Sequence, residues 1–243
     1  MKKILTFLGV LFAGSLMAQS LAPYQKQITV TKGDAKVNVD SWAANVERGS
    51  EDELKDAFED YVGKNFKLKT KKNGKHGMIV PEANLPQVTT RRGDIYVLFS
   101  SETGKPEMAV AFMMGYDIYL NTKDNPQEMD RLKEFFANFL MSHYKSFYEK
   151  QIRDKEKVLK DLRGQITDNE KKAKSLQKDI ESNQKKISKE KDQLKKTEIE
   201  NKNVAARRQI DALNEMNGNI NKQVTNYEKE IADIKVQIAN IGK

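Results

Sequence analysis

Apolar residues return at a fixed interval along the last part of this chain. Ile152, Leu159, Ile166, Ala173, Ile180, Ile187 and Leu194 form a row at seven-residue spacing. Ile210, Leu213, Ile220, Val224, Tyr227, Ile231, Ile234, Ile238 and Ile241 form a second row with alternating steps of three and four. No proline interrupts residues 149–243. The pattern predicts an α-helical coiled coil of roughly 95 residues, about 140 Å long if it is one straight helix. In the first row the intervening core positions are Lys155, Leu162, Asn169, Leu176, Asn183, Glu190 and Thr197, so that seam is weak; the second is strong, with Asn217 its one polar member.

The two rows are out of phase by two residues, which neither common coiled-coil insertion explains. A reversal near Asn201 and Asn203 would remove the conflict by folding the helix back as an antiparallel hairpin. A straight rod with a locally unwound stretch, dimerising in parallel, is the other solution. Asn169, Asn183 and Asn217 fix register in either arrangement if each meets a polar partner.

Upstream the period changes from seven to two. Ile28–Thr31 and Ala35–Val39 alternate around Lys32, Gly33 and Asp34 and predict a β-hairpin. Ser50, with Glu53 three residues on, is a capping box that opens a helix ending near Val62. Phe66 to Lys71 alternates again, and Asn73-Gly74 supplies a tight turn into Met78–Val80. Asp94–Ser100 and Met108–Met113 predict two strands joined at Thr103 and Gly104, with Tyr116–Leu120 beside them. Asn125 and Pro126 start a helix whose stripe is Met129, Leu132, Phe136, Phe139, Leu140, His143 and Phe147. The expected order is β-β-α-β-β-β, an optional further strand, then α. This is an α+β fold: a small antiparallel sheet packed by two helices, followed by the coiled coil. With neither Gly nor Pro at the junction, the second helix is expected to continue into the coiled coil without a break.

The extreme N-terminus sets the compartment. Met1, Lys2 and Lys3 precede an uncharged apolar run from Ile4 to Met17, and Ala18 precedes Gln19. This reads as a cleaved secretory signal over residues 1–18, leaving an α+β domain over 19–148 and a coiled coil over 149–243. The expected address is exported, periplasmic or extracellular with the periplasm favoured, and no integral membrane segment is expected after cleavage. There is no cysteine, hence no disulfide, no thiolate metal site and no lipidated N-terminal Cys.

Charge and aromatics divide the chain the same way. Of 19 aromatic residues, 16 lie between Tyr24 and Tyr148. Residues 19–148 are neutral, with 18 basic and 18 acidic side chains, whereas 149–243 carry 23 basic and 17 acidic ones. Aromatics are core material, so the first segment is compact and the second elongated.

Few residues suggest chemistry. Lys67, Lys69, Lys71, Lys72 and Lys75 crowd one hairpin, where they could contact an anion or guard an edge strand against unwanted pairing. Arg92-Gly93-Asp94 spells an adhesion tripeptide, but Gly-Asp at a strand entry is ordinary turn chemistry. His76 and His143 are the only histidines, and neither has a metal-ligand partner at useful spacing. Glu51, Asp52 and Glu53 sit in a helix first turn, where they complement the dipole. No P-loop, G-x-S-x-G or G-x-G-x-x-G motif occurs, so no catalytic, cofactor or metal site is assigned and no enzyme is expected. Lysine pairs 171–172, 185–186 and 195–196 are interspersed with Glu and Asp, unlike the one-sided stripe that nucleic acid requires.

The leader Met1-Lys2-Lys3-Ile4, the Met17-Ala18-Gln19 cut and the Lys/Glu/Gln-rich tail from Glu149 resemble secreted Bacteroidota-type proteins with an α+β domain and a C-terminal coiled coil. Basic charge and long helices also resemble periplasmic holdases of the Skp/OmpH class. In that class a small β-body is closed by segments from both ends, whereas here a larger domain precedes the helices. The first resemblance brings no known activity; the apolar seam joined directly to a compact domain leads us to expect a non-enzymatic cell-envelope protein whose coiled coil mediates self-association or docks a protein partner and presents the α+β domain. A holdase with a basic helical hairpin is one alternative, and an unrecognised enzyme is another. The partner-binding seam is assigned to Ile152, Leu159, Ile166, Ile180, Ile187, Leu194, Ile210, Leu213, Ile220, Val224, Ile231, Ile234 and Ile238.

Overall fold

The computed structural model describes residues 22–32, 35–100 and 106–242. The expected leader lies outside these, as do Gly33, Asp34, Thr103 and Gly104 of the expected turns. The elements are β1 (Tyr24–Lys32), β2 (Ala35–Asn45), α1 (Glu51–Phe66), β3 (Lys71–Lys72), β4 (Gly77–Ala83), β5 (Gly93–Ser100), β6 (Glu107–Met113), α2 (Pro126–Ile187) and α3 (Gln193–Asn240). The fold is α+β. The chain divides into two compact units: one to Met141, to which Asn240–Lys243 also belong, and one of Ser142–Ala239. The division falls within α2, which is uninterrupted for 62 residues.

In the first unit six strands form one antiparallel sheet in the order β1-β2-β6-β5-β4-β3. Alternation sends Trp42, Val97, Phe99, Val110 and Phe112 to one face. There the Trp42 indole N–H donates to the Met129 carbonyl at 2.7 Å, and Lys55 lies over the Phe99 ring. Phe58 of α1 meets Phe139 of α2 edge-on, with centroids 5.2 Å apart. Phe58, Phe99, Phe112, Phe136 and Phe139 are fully buried. Gly93 admits the close approach of β5 to β6: a Cβ there would come within 2.0 Å of the Met113 carbonyl oxygen.

The opposite face is buried too, and the sequence pattern did not announce this. Only Trp42–Asn45 of β2 pair with β6, so the rest of the β1–β2 hairpin is free to curl over the sheet. Ile28, Val30, Val39, Ala43, Tyr96, Ala109, Ala111 and Met113 then form one cluster. Its small members, Ala43, Ala109 and Ala111, give the curled hairpin room to approach. Curling brings the two sheet edges within reach, and the Asn73 side-chain amide, beside β3, donates to Thr31 of β1 at 3.2 Å.

Two local expectations are corrected. Phe66 to Lys71 is not a strand. α1 continues to Phe66 because that ring packs on Tyr61 and Phe135, each at 5.7 Å. Lys67 ends the helix in the left-handed region with φ 60°, and only Lys71 and Lys72 pair with β4. Tyr116–Leu120 is likewise not a strand: a single bridge joins Met113 to Tyr119 after a turn at Tyr116 and Asp117. The capping box at Ser50 and Glu53 and the helix start at Pro126 stand as the sequence predicts.

Candidate functional site: the facing stripes of the long helices

Burial along α2 follows the heptad frame. Leu159, Leu162 and Ile180 are buried, and Ile152, Lys155, Ile166, Asn169, Ala173, Leu176, Asn183 and Ile187 are half-buried, while the intervening residues are exposed. On α3 the frame comprises Lys196, Ile199, Asn203, Ala206, Ile210, Leu213, Asn217, Ile220, Val224, Tyr227, Ile231, Ile234 and Ile238. It therefore begins fourteen residues before Ile210. Leu194, assigned to the seam from its seven-residue spacing, lies off this frame and is 79% exposed.

The correction has a local cause. The helix stops at Ile187 and restarts at Gln193, upstream of the Asn201–Asn203 reversal suggested by the sequence, and those asparagines are helical. Two carboxylates shape the interruption. Glu190 accepts from the backbone N–H groups of Lys191 and Asp192 at 2.9 and 3.0 Å, and Asp192 accepts from Leu194 N–H at 2.9 Å. Asp192 thus acts as the cap that opens α3. The two-residue phase difference is absorbed here. Walking the three-four steps backwards from Ile210 through Ala206, Asn203 and Ile199 would have located it from sequence.

Polar contacts link the two stripes. Asn169 donates to Asn217 at 2.8 Å, and Asn183 donates to Asn203 at 2.9 Å. Arg163 reaches Glu228 at 2.6 Å, Lys155 pairs with Glu230, and the Lys155 ammonium lies 5.5 Å from the Tyr227 ring centroid. Partner numbers on α3 fall as those on α2 rise. Asn203, only 7% exposed, belongs to this buried frame, although the sequence pattern places a reversal there.

In the first unit, Lys67, Lys69, Lys71, Lys72 and Lys75 are all exposed. Lys67 is the helix cap and donates to the Lys64 carbonyl. Lys71 and Lys72 form the edge strand itself, a two-residue strand of two lysines, which is how sheets discourage edge-to-edge pairing. Gly93 of the Arg-Gly-Asp run is buried in β5, and the Asp94 carboxylate accepts from Glu82 N–H at 2.8 Å.

The titratable groups that meet in this unit join parts of the fold. His76 Nδ1 lies 3.0 Å from Glu51, which also pairs with Lys55 at 2.6 Å. Burial pushes the Glu51 carboxyl up, but hydrogen bonds from Lys55 and His76 outweigh it and hold the group below its ordinary value. Glu107 behaves alike: burial raises it, and Lys26 at 2.6 Å, Tyr24 and Ser100 at 2.9 Å lower it further. Tyr24 is pushed up to about 12 by burial and by its bond to Glu107. In the second unit, His143 is buried against Tyr144, with ring centroids 5.7 Å apart.

Shallow hollows mark the surface of the first unit. One of about 330 Å³ has a floor of Tyr61, Phe66 and Phe135 and a rim including Gln87, Arg131 and Asn138. Another, of about 270 Å³, is lined by polar groups including Lys26, Asp40, Ser41 and Thr122. Among the described residues no cluster of three His, Cys, Asp or Glu side chains could hold a metal, and no helix is long and apolar enough to cross a membrane. The chain matches no protein-family model, no curated protein and no solved structure.

Proposed function

We propose that α2 and α3 fold on each other as an antiparallel coiled-coil hairpin, and that the protein is a non-enzymatic, exported interaction protein of the cell envelope. The observation that carries the reading is the pair of asparagine bonds, 169 to 217 and 183 to 203. Both limbs advance fourteen residues, in opposite senses, between the two bonds. A slip of one heptad would set at least one asparagine against an aliphatic partner, so the pairs specify register at some cost in stability. Gly242 adds support at the far end, since a Cβ there would come 2.5 Å from Met141 Sδ.

In this reading the seam residues from Ile152 to Ile238 cover one another within a single chain, Leu194 excepted. Partner docking then uses the outer charged faces of the helices. Self-association through the same seam is the competing arrangement. The chain has no cysteine, so Asn183→Cys with Asn203→Cys supplies a clean test. Oxidation of the dilute protein is expected to give an intramolecular disulfide and a monomer mass by light scattering. Disulfide-linked dimers at the same dilution would overturn the hairpin.

The excess of basic over acidic residues on the helices favours a second reading, a holdase that cages unfolded clients. Suppression of aggregation of an unfolded outer-membrane β-barrel protein at stoichiometric ratio would support it, and failure to suppress would discard it.

A further inference from the structure

The interruption between α2 and α3 is built unlike the rest of either helix. Residues 185–196 contain Lys185, Lys186, Lys189, Lys191, Lys195 and Lys196 against two acids, Glu190 and Asp192. Five of the lysines are exposed and Lys196 is half-buried, and among the described residues none of the six has an ion-pair partner. Both acids are occupied by backbone N–H groups. The Glu190 carboxyl is held below its ordinary value, first by those N–H bonds and then by Lys195 and Lys196. Leu194, in the middle of this segment, is the most exposed leucine among the described residues at 79%.

Local stability accounts for only part of this. Lys185 and Lys186 in the last turn of α2 suit the negative end of its dipole. Lys195 and Lys196 do the reverse, standing in the first turn of α3 beside the positive end, where only the Asp192 cap and the nearby Glu190 carboxylate offset them. An exposed leucine set among unpaired lysines, two of them opposed to their own helix, breaks local rules in the way that sites for partners do.

We propose that this segment is a contact site for an anionic lipid bilayer, with the lysines at the headgroup phosphates and Leu194 entering the acyl boundary. Basic charge and an exposed apolar side chain within one short segment suit interfacial binding, whose strength comes from buried apolar area together with attraction to anionic lipid. A nucleic acid would use the lysines but give Leu194 no role, and no aromatic residue lies between Tyr148 and Tyr227 for bases to stack on. The proposal needs only that the segment be exposed, so it stands apart from the hairpin reading.

The test is co-sedimentation of the full purified chain with phosphatidylglycerol–phosphatidylcholine vesicles, set against phosphatidylcholine alone. Each lysine near such a surface contributes about fivefold in affinity. Lys189→Glu with Lys191→Glu and Lys195→Glu is therefore expected to cost more than a hundredfold and to leave helicity unchanged. Leu194→Gln is expected to cost about tenfold. Raising the salt to about 1 M, where screening acts over roughly 3 Å, is expected to abolish binding. Lys69→Glu with Lys71→Glu and Lys72→Glu, on the other unit, is expected to bind as the parent does. An environment-sensitive dye on Leu194→Cys should shift to the blue on anionic vesicles. No binding to those vesicles, binding indifferent to Leu194→Gln with an unshifted dye, or binding lost instead through the 69–72 reversal would each overturn the proposal.

Discussion

The two units solve the burial problem by opposite means. The sheet unit gathers aromatic side chains from distant stretches into a core several residues deep, where Phe58, Phe99, Phe112, Phe136 and Phe139 see no solvent. The helical unit has no depth at all. Its apolar surface is one stripe per helix, few of its members are fully covered, and the same local contact repeats every heptad. Depth makes single residues valuable and defines the packing by shape. Repetition makes single residues cheap and leaves register undefined, since a stripe of similar side chains fits equally well after a slip of seven. In the proposed hairpin the asparagine pairs supply what repetition lacks.

The sharpest way to break the comparison is to remove one residue from each core. Trp42 is the only tryptophan and lies in the sheet unit, so its fluorescence follows that unit. Far-ultraviolet circular dichroism follows chiefly the 62-residue and 48-residue helices. Phe139→Ala is expected to cost about 4 kcal/mol in the fluorescence transition, because the ring it deletes is wedged between Phe58 and Tyr61. Ile180→Ala, at a position only 2% exposed, is expected to cost about 2 kcal/mol in the dichroism transition and little in fluorescence. Equal penalties in both transitions would mean that the two parts are one cooperative body and that the contrast in depth has no energetic content.

Much of this division was legible in the chain. The switch from a period of two to a period of seven and the loss of aromatics after Tyr148 point to two regions, although the second compact unit begins at Ser142 and so includes Tyr144, Phe147 and Tyr148. The capping box and Asn125-Pro126 marked two helix starts, because caps are local chemistry. What failed were decisions made by distant residues. Phe66 looked like a strand residue from its neighbours and is helical because Phe135 receives it. Nothing in the alternation of β2 says that its first half pairs with β1 alone and packs against Ala109 and Ala111 of β6. Leu194 falls off the frame for a different reason: the seven-residue row runs one step across the interruption that Glu190 and Asp192 shape, and the sequence pattern counts Glu190 as a core position of the seam.

The register argument admits a sharper test than deletion. Asn183→Leu leaves Asn203 buried without its partner, which is expected to cost about 2 kcal/mol in the dichroism transition. Asn183→Leu combined with Asn203→Leu replaces both polar groups by aliphatic ones and is expected to recover most of that loss. The double variant should nonetheless lose definition, giving broadened amide resonances or mixed cross-links across neighbouring heptads. A double variant as unstable as the single one would show that the site tolerates no apolar pair, and that geometry rather than polarity selects the asparagines.

The smallest effect concerns acid, and it too should separate the units. Glu107 is held below its ordinary 4.5 despite burial, by Lys26, Tyr24 and Ser100. A depressed carboxyl stabilises the fold above its unfolded value, and that contribution is lost as pH falls through the lower folded value. Glu107→Gln is therefore expected to cost about 1 kcal/mol near neutrality, and the penalty should shrink once the parent's own carboxyl is protonated. On the helices, Glu228 faces Arg163 across an exposed surface, with side chains 49% and 61% accessible. Such pairs contribute little in water, so Glu228→Gln is expected to change stability by only a few tenths of a kcal/mol at either pH. Urea midpoints at neutral and acid pH, read by fluorescence for one variant and dichroism for the other, decide the matter. An acid-sensitive Glu228 beside an indifferent Glu107 would reverse the comparison, moving the charge-dependent part of the stability from the buried sheet to the repeating helices.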